Sequence, residues 1–439
     1  MKRWTEEQVV AAAPDASSLT AARRLANPGP WADLGANDVL VWGRCQGSGK
    51  TPYQVSVDVL APAYRCSCPS RKFPCKHALA LLMLWSRGPD VVPEGEAADH
   101  AKEWAAQRAE RTAQQQSRTL ERAARPIDPE AQARRLAERV ALMDDGLADF
   151  RLWLTDVVRA GLAAARNQPY SWWDTTAARL VDAQLPGLAD QVRTMGSTVH
   201  SRSDWADHLL AGLGRWWLVT CAWRARETLD PDTEADLRVA LGWSQPSAAV
   251  RERESIAGPW RVLGAHRTDD GRLQQQRTWL RGTAGPAEAE MLQVLDFAAY
   301  GEALATPQLP GTVVDADLAR YPGRSPRRAT FVSDVHPVAE NPKLPSGTTI
   351  TSAVAAAAAA LAGSPWRDRH PAVLADVRVD ADGWAVRDAD GAVLGLVDDA
   401  PVWHALAVTG GAPADVFGEI EDGRFRPLTV ALGGQVLAL

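Results

Sequence analysis

Cysteine is scarce in this chain, with five residues among 439. So few cysteines cannot form the disulfide framework of a secreted protein of this size. Three of the five fall between Cys66 and Cys75, beside a histidine. Such clustering in a reducing compartment favours a metal site over disulfide bonds. Cys45 and Cys221 stand apart, and we expect both to be small core residues.

Long apolar runs are also missing. The longest, residues 354–362, is mostly alanine and is too short and too weakly apolar to span a bilayer. The amino terminus runs from Met1 into Glu6 and Glu7 without the apolar core of a secretory signal. The sequence therefore predicts a cytoplasmic protein that has no membrane segment.

An excess of positive charge is the third absence. The net charge is −6 and the pI is near 5.8, which argues against a protein whose whole surface binds nucleic acid. The net charge still allows a local basic patch. Hydrophobic residues make up 46% of the chain and charged residues 23%, so an ordinary globular protein of several domains is expected.

The amino-terminal region predicts a small ββα unit. Residues 39–60 hold two β-branched runs around Gly47-Ser48-Gly49, which is hairpin chemistry. The run after His77 has strong helix formers and no breaker before Gly88. We assign residues 1–88 to this region, with the unit itself at about 39–86.

The rest of the chain divides into three further parts, so the predicted class is α+β multidomain. Residues 89–129 are a charged, partly helical connector. Residues 130–250 show helical spacing of apolar residues, with a capping box predicted at Ser171 and Asp174 and a helix opening at Asp230-Pro231. Tryptophans at helical spacing in this part, such as Trp216 and Trp217, are expected to be core or helix-packing residues.

Residues 251–439 form an α+β region with several hairpins. An alanine-rich helix is predicted over residues 352–362. Four Asp-Gly pairs between β-prone runs predict hairpin turns, at Asp270-Gly271, Asp382-Gly383, Asp390-Gly391 and Asp422-Gly423.

A metal constellation lies between the amino-terminal hairpin and its helix. Cys66 and Cys68 form one pair of soft ligands, and Cys75 and His77 form a second pair after six intervening residues. Residues two apart on a strand project to the same face, so both sulfurs can approach one Zn²⁺. Four protein ligands leave no position for water, so a single structural zinc is predicted.

Basic residues surround this loop: Arg65, Arg71, Lys72 and Lys76. Together with the partial positive charge of the helix amino terminus they favour thiolates. They are also candidate contacts to nucleic acid or to a partner protein.

The C-x-C and C-x-H pairs resemble the SWIM-type zinc finger, as do Pro52-Tyr53, the Cys68-Pro-Ser sequence and the Pro-Cys-Lys-His sequence ending at His77. The resemblance implies that Cys66, Cys68, Cys75 and His77 bind zinc. SWIM modules serve in DNA binding or protein interaction.

The longer arrangement, in which a helical middle containing residues 152–159 follows the finger, resembles bacterial SWIM zinc finger family proteins. Such proteins are often encoded near a MoxR-type AAA+ ATPase and a von Willebrand factor A domain protein, so the resemblance implies these two as possible partners.

Two other motifs invite functional interpretations. Residues 43–51 end in Gly-Lys-Thr like a phosphate-binding loop, but Arg44 stands where a glycine is required and a β-run follows, so no nucleotide is expected. His200, Asp204, Asp207 and His208 could share a helix face and bind a second metal, but a solvated helix end is the better interpretation.

No catalytic constellation is evident, so we expect a binding protein and not an enzyme. The favoured hypothesis is a zinc-stabilised interaction protein whose finger and helical domain engage protein partners. The alternative is DNA or RNA binding through the basic finger loop.

Overall fold

The computed structural model describes residues 3–13, 16–47, 49, 51–59, 63–70, 74–124, 128–243, 245–269, 273–299, 304, 309–338 and 341–439. The predicted α+β multidomain class is confirmed. The chain divides into two compact units. One contains Met1–Pro126, Ala265–Thr278 and Leu295–Leu309, and the other contains Ile127–Gly264, Trp279–Val294 and Pro310–Leu439. Within the described ranges, no helix combines the length and apolarity needed to cross a bilayer.

The first unit is built on an antiparallel four-stranded sheet. The predicted hairpin is confirmed as its two central strands, whose register pairs Leu40 with Asp58 and Cys45 with Tyr53. The elements in chain order are α1 (Glu6–Ala11), α2 (Ala16–Leu25), β1 (Trp31–Ala36), β2 (Leu40–Cys45), β3 (Tyr53–Asp58), β4 (Ala63–Cys66), α3 (Lys76–Ser86) and α4 (Asp99–Ala124).

Helices cover both faces of this sheet. Every residue of α3 from His77 to Trp85 is buried, as expected of a helix that is apolar all round. On the opposite face, Ala101 near the start of α4 packs with Leu40 and Trp42. Arg108 of α4 donates a hydrogen bond to Asp58 at 2.6 Å. The sheet is therefore held between α3 and α4.

The second unit begins with helices, as predicted for residues 130–250. They are α5 (Pro129–Ala160), α6 (Leu162–Arg166), α7 (Tyr170–Asp182), α8 (Pro186–Thr198), α9 (Trp205–Arg224), α10 (Pro231–Ala240) and α11 (Ser247–Arg251). Asp230 caps α10 by accepting from the backbone N–H of Thr233, and Pro231 is its first residue, which confirms the predicted start.

One prediction in this helical part is wrong. Ser171 is not a cap, because α7 begins at Tyr170 after Pro169 and Ser171 lies inside the helix. Trp217 is 38% exposed although its neighbour Trp216 is only 2% exposed. Adjacent residues on a helix point about 100° apart, so both cannot face one core.

A closed β-barrel follows the helices. Its strands are β5 (Ser255–Asp269), β6 (Leu273–Gly282), β7 (Met291–Ala299), β8 (Val313–Arg320) and β9 (Arg327–Phe331), with β10 (His336–Val338) added along β8. The β8–β9 pairing closes the ring, and β7 and β9 run parallel. Trp260, Leu280 and Val314 belong to its buried core. Nothing in the local sequence pattern predicted this closure.

The last third is a six-stranded antiparallel sheet with two helices on one face. The elements are α12 (Ile350–Gly363), β11 (Arg369–Asp380), β12 (Ala385–Arg387), β13 (Val393–Gly395), α13 (Val402–Thr409), β14 (Ala414–Glu421), β15 (Arg424–Leu432) and β16 (Gln435–Ala438). The spatial order is β13-β12-β11-β14-β15-β16. On the other face, Phe417 and Leu428 pack against Leu263 and Trp279 of the barrel.

The hairpin predictions in this region hold where the structure describes them. Asp382-Gly383, Asp390-Gly391 and Asp422-Gly423 each connect antiparallel strands. Asp422 and Gly423 have φ of 48° and 74°, the left-handed pair that a tight two-residue turn requires. The predicted alanine-rich helix is α12. The Asp270-Gly271 turn lies outside the described residues.

Candidate metal centre

The candidate metal centre lies where the finger's last strand meets its buried helix. Strand β4 ends at Cys66, which pairs with Val55 of β3 in the sheet. Cys68 follows two residues later. Cys75 is the residue before α3 and has extended backbone angles, and His77 lies in the first turn of that helix. One ligand pair therefore comes from the strand end and the other from the helix start.

The structure brings all four ligand atoms together. The three Sγ atoms and the histidine nitrogen lie within 4.8 Å of one another. Sγ of Cys66 is 3.7 Å from Nδ1 of His77. In a tetrahedral zinc site, metal–ligand bonds of roughly 2.0 to 2.3 Å imply S···N edges of about 3.6 Å. The observed separation fits that geometry.

Burial and packing hold the helix pair of ligands in place. Cys75 is fully buried and His77 is 4% exposed, while Cys66 and Cys68 are half-buried. The ring of Tyr53, the first residue of β3, lies with its centroid 5.0 Å from that of His77. The sequence marks Tyr53 only as part of the motif, and the structure shows that its ring lies beside that of His77.

The three thiols of the cluster shift one another's pKa values. Hydrogen bonding to Cys68 and Cys75, together with burial, raises the pKa of Cys66. Hydrogen bonds from Cys66 and Cys75 lower the pKa of Cys68. A hydrogen bond with Cys66 lowers the pKa of Cys75, but Cys68 and burial outweigh it and raise that pKa to about 11. A divalent cation can replace the protons of these thiols.

The basic residues around the loop do not form one group. Arg65 is exposed on β4 and lies, like Arg44, on the α4 side of the sheet. Burial lowers the pKa of His100 of α4, and the charges of these two arginines lower it further. Lys76 is exposed at the start of α3, on the other side. Arg71 and Lys72 lie outside the described residues.

The alternative motifs are not assembled into sites in the described part of the chain. The segment resembling a phosphate loop joins β2 to β3, and no helix follows it. Asp204 accepts from Arg202 and Arg424 at 2.7 and 3.0 Å, which occupies its carboxylate. His208 faces Thr198 and Asp422. Among the described residues, the Cys66 cluster is the one group that could hold a metal.

Comparison with known families agrees with this geometry. The SWIM zinc finger model matches residues 54–85, which include all four ligands. The SWIM-associated four-helix bundle domain matches residues 138–241, which begin within α5 and end just after α10.

The chain contains a SWIM zinc finger and its associated helical bundle. Comparison with curated proteins and with solved structures finds no significant match. The SWIM finger, with its Cys66, Cys68, Cys75 and His77 cluster, is compatible with one structural zinc ion. Four protein ligands complete a tetrahedral shell, so the ion would stabilise the finger and would hold no water for hydrolysis.

Proposed function

We propose that this chain is a non-catalytic, cytoplasmic interaction protein in which zinc holds the SWIM finger in shape and the helical bundle docks a protein partner. The observation that carries the proposal is an exposed apolar strip on the bundle. We define the bundle strip as Val158 of α5 with Leu210, Trp217 and Leu218 of α9.

The two helices of the bundle strip run side by side. Asp144 of α5 accepts a hydrogen bond from Trp223 of α9 at 2.6 Å. The Arg151 guanidinium lies 3.9 Å from the centre of the Trp217 ring. Residues seven apart on a helix share a face, so Val158 continues this series toward the other end of α9.

The strip exposes four apolar side chains on two adjacent helices. Val158 is 61% exposed and Leu210 is 58% exposed, while Leu218 and Trp217 are 46% and 38% exposed. Ala211 and Gly214, also exposed, lie between them on α9, and the Arg151 guanidinium lies over the Trp217 ring. A group of exposed apolar side chains on adjacent helices is a candidate protein interaction site.

The first partners to test follow from the resemblance to bacterial SWIM zinc finger proteins. They are a MoxR-type AAA+ ATPase and a von Willebrand factor A domain protein from the source cell. Each would be purified and its affinity for the zinc-loaded chain measured by biolayer interferometry.

The matched variants are Leu210→Asp with Leu218→Asp in the strip, and Leu152→Asp elsewhere on α5, where the leucine is 66% exposed. We expect the strip variant to weaken partner binding by at least about tenfold and the Leu152 variant to bind normally. Equal binding by all three proteins would exclude the strip as the docking site.

Nucleic-acid binding through the finger is the second candidate function. It is supported by two exposed cations beside the ligands, Arg65 next to Cys66 and Lys76 between Cys75 and His77. Phosphate contacts would make the affinity for DNA or RNA fall steeply with salt. A titration at low and high salt, repeated with Arg65→Ala and Lys76→Ala, should then show a weaker salt dependence in the variants. An absence of salt-sensitive binding by the unmodified chain would exclude nucleic-acid binding through the finger.

A further inference from the structure

A groove of about 360 Å³ lies between one face of α10, helix α11 and the segment that follows β8, and we call it the α10–α11 groove. Most of its wall is apolar, and the apolar residues include Pro231, Ala235, Trp243, Pro246, Val250 and Pro322. Clefts that hold small molecules have volumes of about 300 to 1,000 Å³ and mostly apolar walls with a few polar groups. The groove therefore has the size and the lining of a small-molecule site.

The tryptophan of the groove is positioned by the way in which α10 ends. Gly242 has a φ of 92°, and the backbone N–H of Trp243 donates to the carbonyl oxygen of Arg238 at 2.8 Å. This helix-ending motif turns the residue after the glycine back onto the last turn of the helix. As a result, the Arg238 guanidinium lies 5.1 Å from the centre of the Trp243 ring, and Arg139 of α5 lies 4.1 Å from it.

The polar groups at this groove are mainly hydrogen-bond donors. Arg253, just after α11, lines the groove, and its side chain has no ion pair or hydrogen bond with any described residue. The indole N–H of Trp243 likewise has no acceptor in the described part of the chain. Among the described lining residues Glu234 alone is acidic, and it accepts from Arg238 at 2.7 Å. Arg253 is thus a cation without a counter-ion beside apolar walls.

We propose that the α10–α11 groove binds a small apolar carboxylate. The apolar body of the ligand packs against the prolines and Trp243, and its carboxylate pairs with the Arg253 guanidinium. An arginine can donate two parallel hydrogen bonds to a carboxylate, which fixes the orientation of the ligand as well as its charge. The proposal goes beyond the bundle strip, because it assigns a small-molecule site on other residues.

Naphthoate is the probe, because it combines a rigid apolar body with one carboxylate. Its binding to the full, zinc-loaded chain would be measured by isothermal titration calorimetry at low salt. Naphthamide keeps the shape without the charge, and acetate keeps the charge without the apolar body. We expect naphthoate to saturate one site per chain and the other two compounds to bind at least about tenfold more weakly.

Substitutions locate the ligand. Arg253→Gln should weaken naphthoate binding by about tenfold, because it removes the charge that pairs with the carboxylate. The matched control is Arg251→Gln, which makes the same change of charge at an exposed arginine of α11 that does not line the groove, so naphthoate should bind normally. Ala249→Phe places a ring in the groove without changing its charge and should abolish binding.

All three substituted residues are exposed, so the variants should unfold at the temperature of the unmodified chain, which verifies that they fold. None of them belongs to the bundle strip, so the two proposals can fail separately. The groove proposal is overturned if naphthoate does not bind, if naphthamide binds equally well, or if Arg253→Gln and Arg251→Gln have the same affinity for naphthoate.

Discussion

Nδ1 of His77 lies 3.7 Å from Sγ of Cys66, although the two residues are separated by eleven positions in the chain. Cys66 ends strand β4 and His77 belongs to the first turn of α3. A zinc ion bound by both would therefore join the sheet to the helix that forms its core. Loss of a ligand should affect the packing of α3 as well as metal content.

Replacing His77 with alanine should remove zinc and unfold the finger locally. Metal binding contributes directly to folding in small zinc modules, and losing such a ligand can cost about 4 kcal/mol or more. Zinc content by elemental analysis of protein purified without added metal should drop well below one ion per chain. Hydrogen exchange should show faster exchange in α3.

Two control variants test whether zinc loss is specific to the ligand residues. Cys45→Ala removes a buried cysteine that does not belong to the four-residue cluster, and Lys76→Ala removes the exposed residue next to His77. Both should retain zinc. A zinc-free unmodified chain, or normal zinc in His77→Ala, would contradict the assignment.

The apparent zinc affinity should rise with pH. Without metal, Cys66 and Cys75 have raised pKa values and hold protons at neutral pH, whereas the lowered pKa of Cys68 makes it a thiolate. Zinc must displace the protons of the first two thiols, so acid opposes binding and base favours it. Zinc binding should therefore release protons near neutral pH.

Competition with a chromophoric chelator over a pH series measures this slope. Proton release can be read independently with a pH indicator in weakly buffered solution. An affinity that does not change with pH would mean that the thiols are already ionised before the metal arrives.

The four zinc ligands could be predicted because their pattern is local. All of them lie within one short segment, and soft ligands at that spacing have few other uses. The pattern that predicts the hairpin of β2 and β3 is also local. Strands β1 and β4 were missed: β4 has only four residues, and β1 is interrupted by a register shift between Ala32 and Gly35. Their pairing depends on the neighbouring strands.

Non-local contacts account for the rest of what the sequence did not predict. The pairing of β7 with β9 joins residues far apart in the chain, and no local pattern encodes it. Ala101 of α4 is a core residue only because Leu40 and Trp42 lie opposite. The exposure of Trp217 likewise depends on which helices surround α9. Helical spacing identifies the faces of a helix, but not which face is covered.

A partly buried ion pair joins α10 to the segment after α12, and breaking it should destabilise the second unit. The Asp236 carboxylate accepts from the Arg367 guanidinium at 3.2 Å, and the two side chains are 12% and 20% exposed. Asp236→Ala would leave the partly buried arginine charge without this partner, at a cost of about 1 to 3 kcal/mol. Thermal denaturation should show a clearly lower Tm.

The exposed pair of Asp156 and Arg159 provides the comparison for that measurement. Its atoms are 3.8 Å apart and its side chains are 76% and 77% exposed. Asp156→Ala should change stability by no more than about 0.5 kcal/mol, because water screens the pair. Similar Tm values for the Asp236 and Asp156 variants would show that the burial of an ion pair does not decide how much stability its loss costs.

Two glycines of the bundle should respond in opposite directions to alanine. A Cβ on Gly187, at the start of α8, would lie 2.4 Å from the carbonyl oxygen of Ala240 and 2.6 Å from the backbone nitrogen of Gly242. Backbone atoms cannot rotate away, so α8 would have to separate from the end of α10, at a cost of about 2 kcal/mol.

Gly214 lies within α9 with nothing inside 4 Å of its Cβ position. Alanine there should stabilise the helix by up to about 1 kcal/mol. Calorimetry of both variants should therefore move Tm down for Gly187→Ala and up for Gly214→Ala; shifts of the same sign would contradict the close approach of α8 to α10.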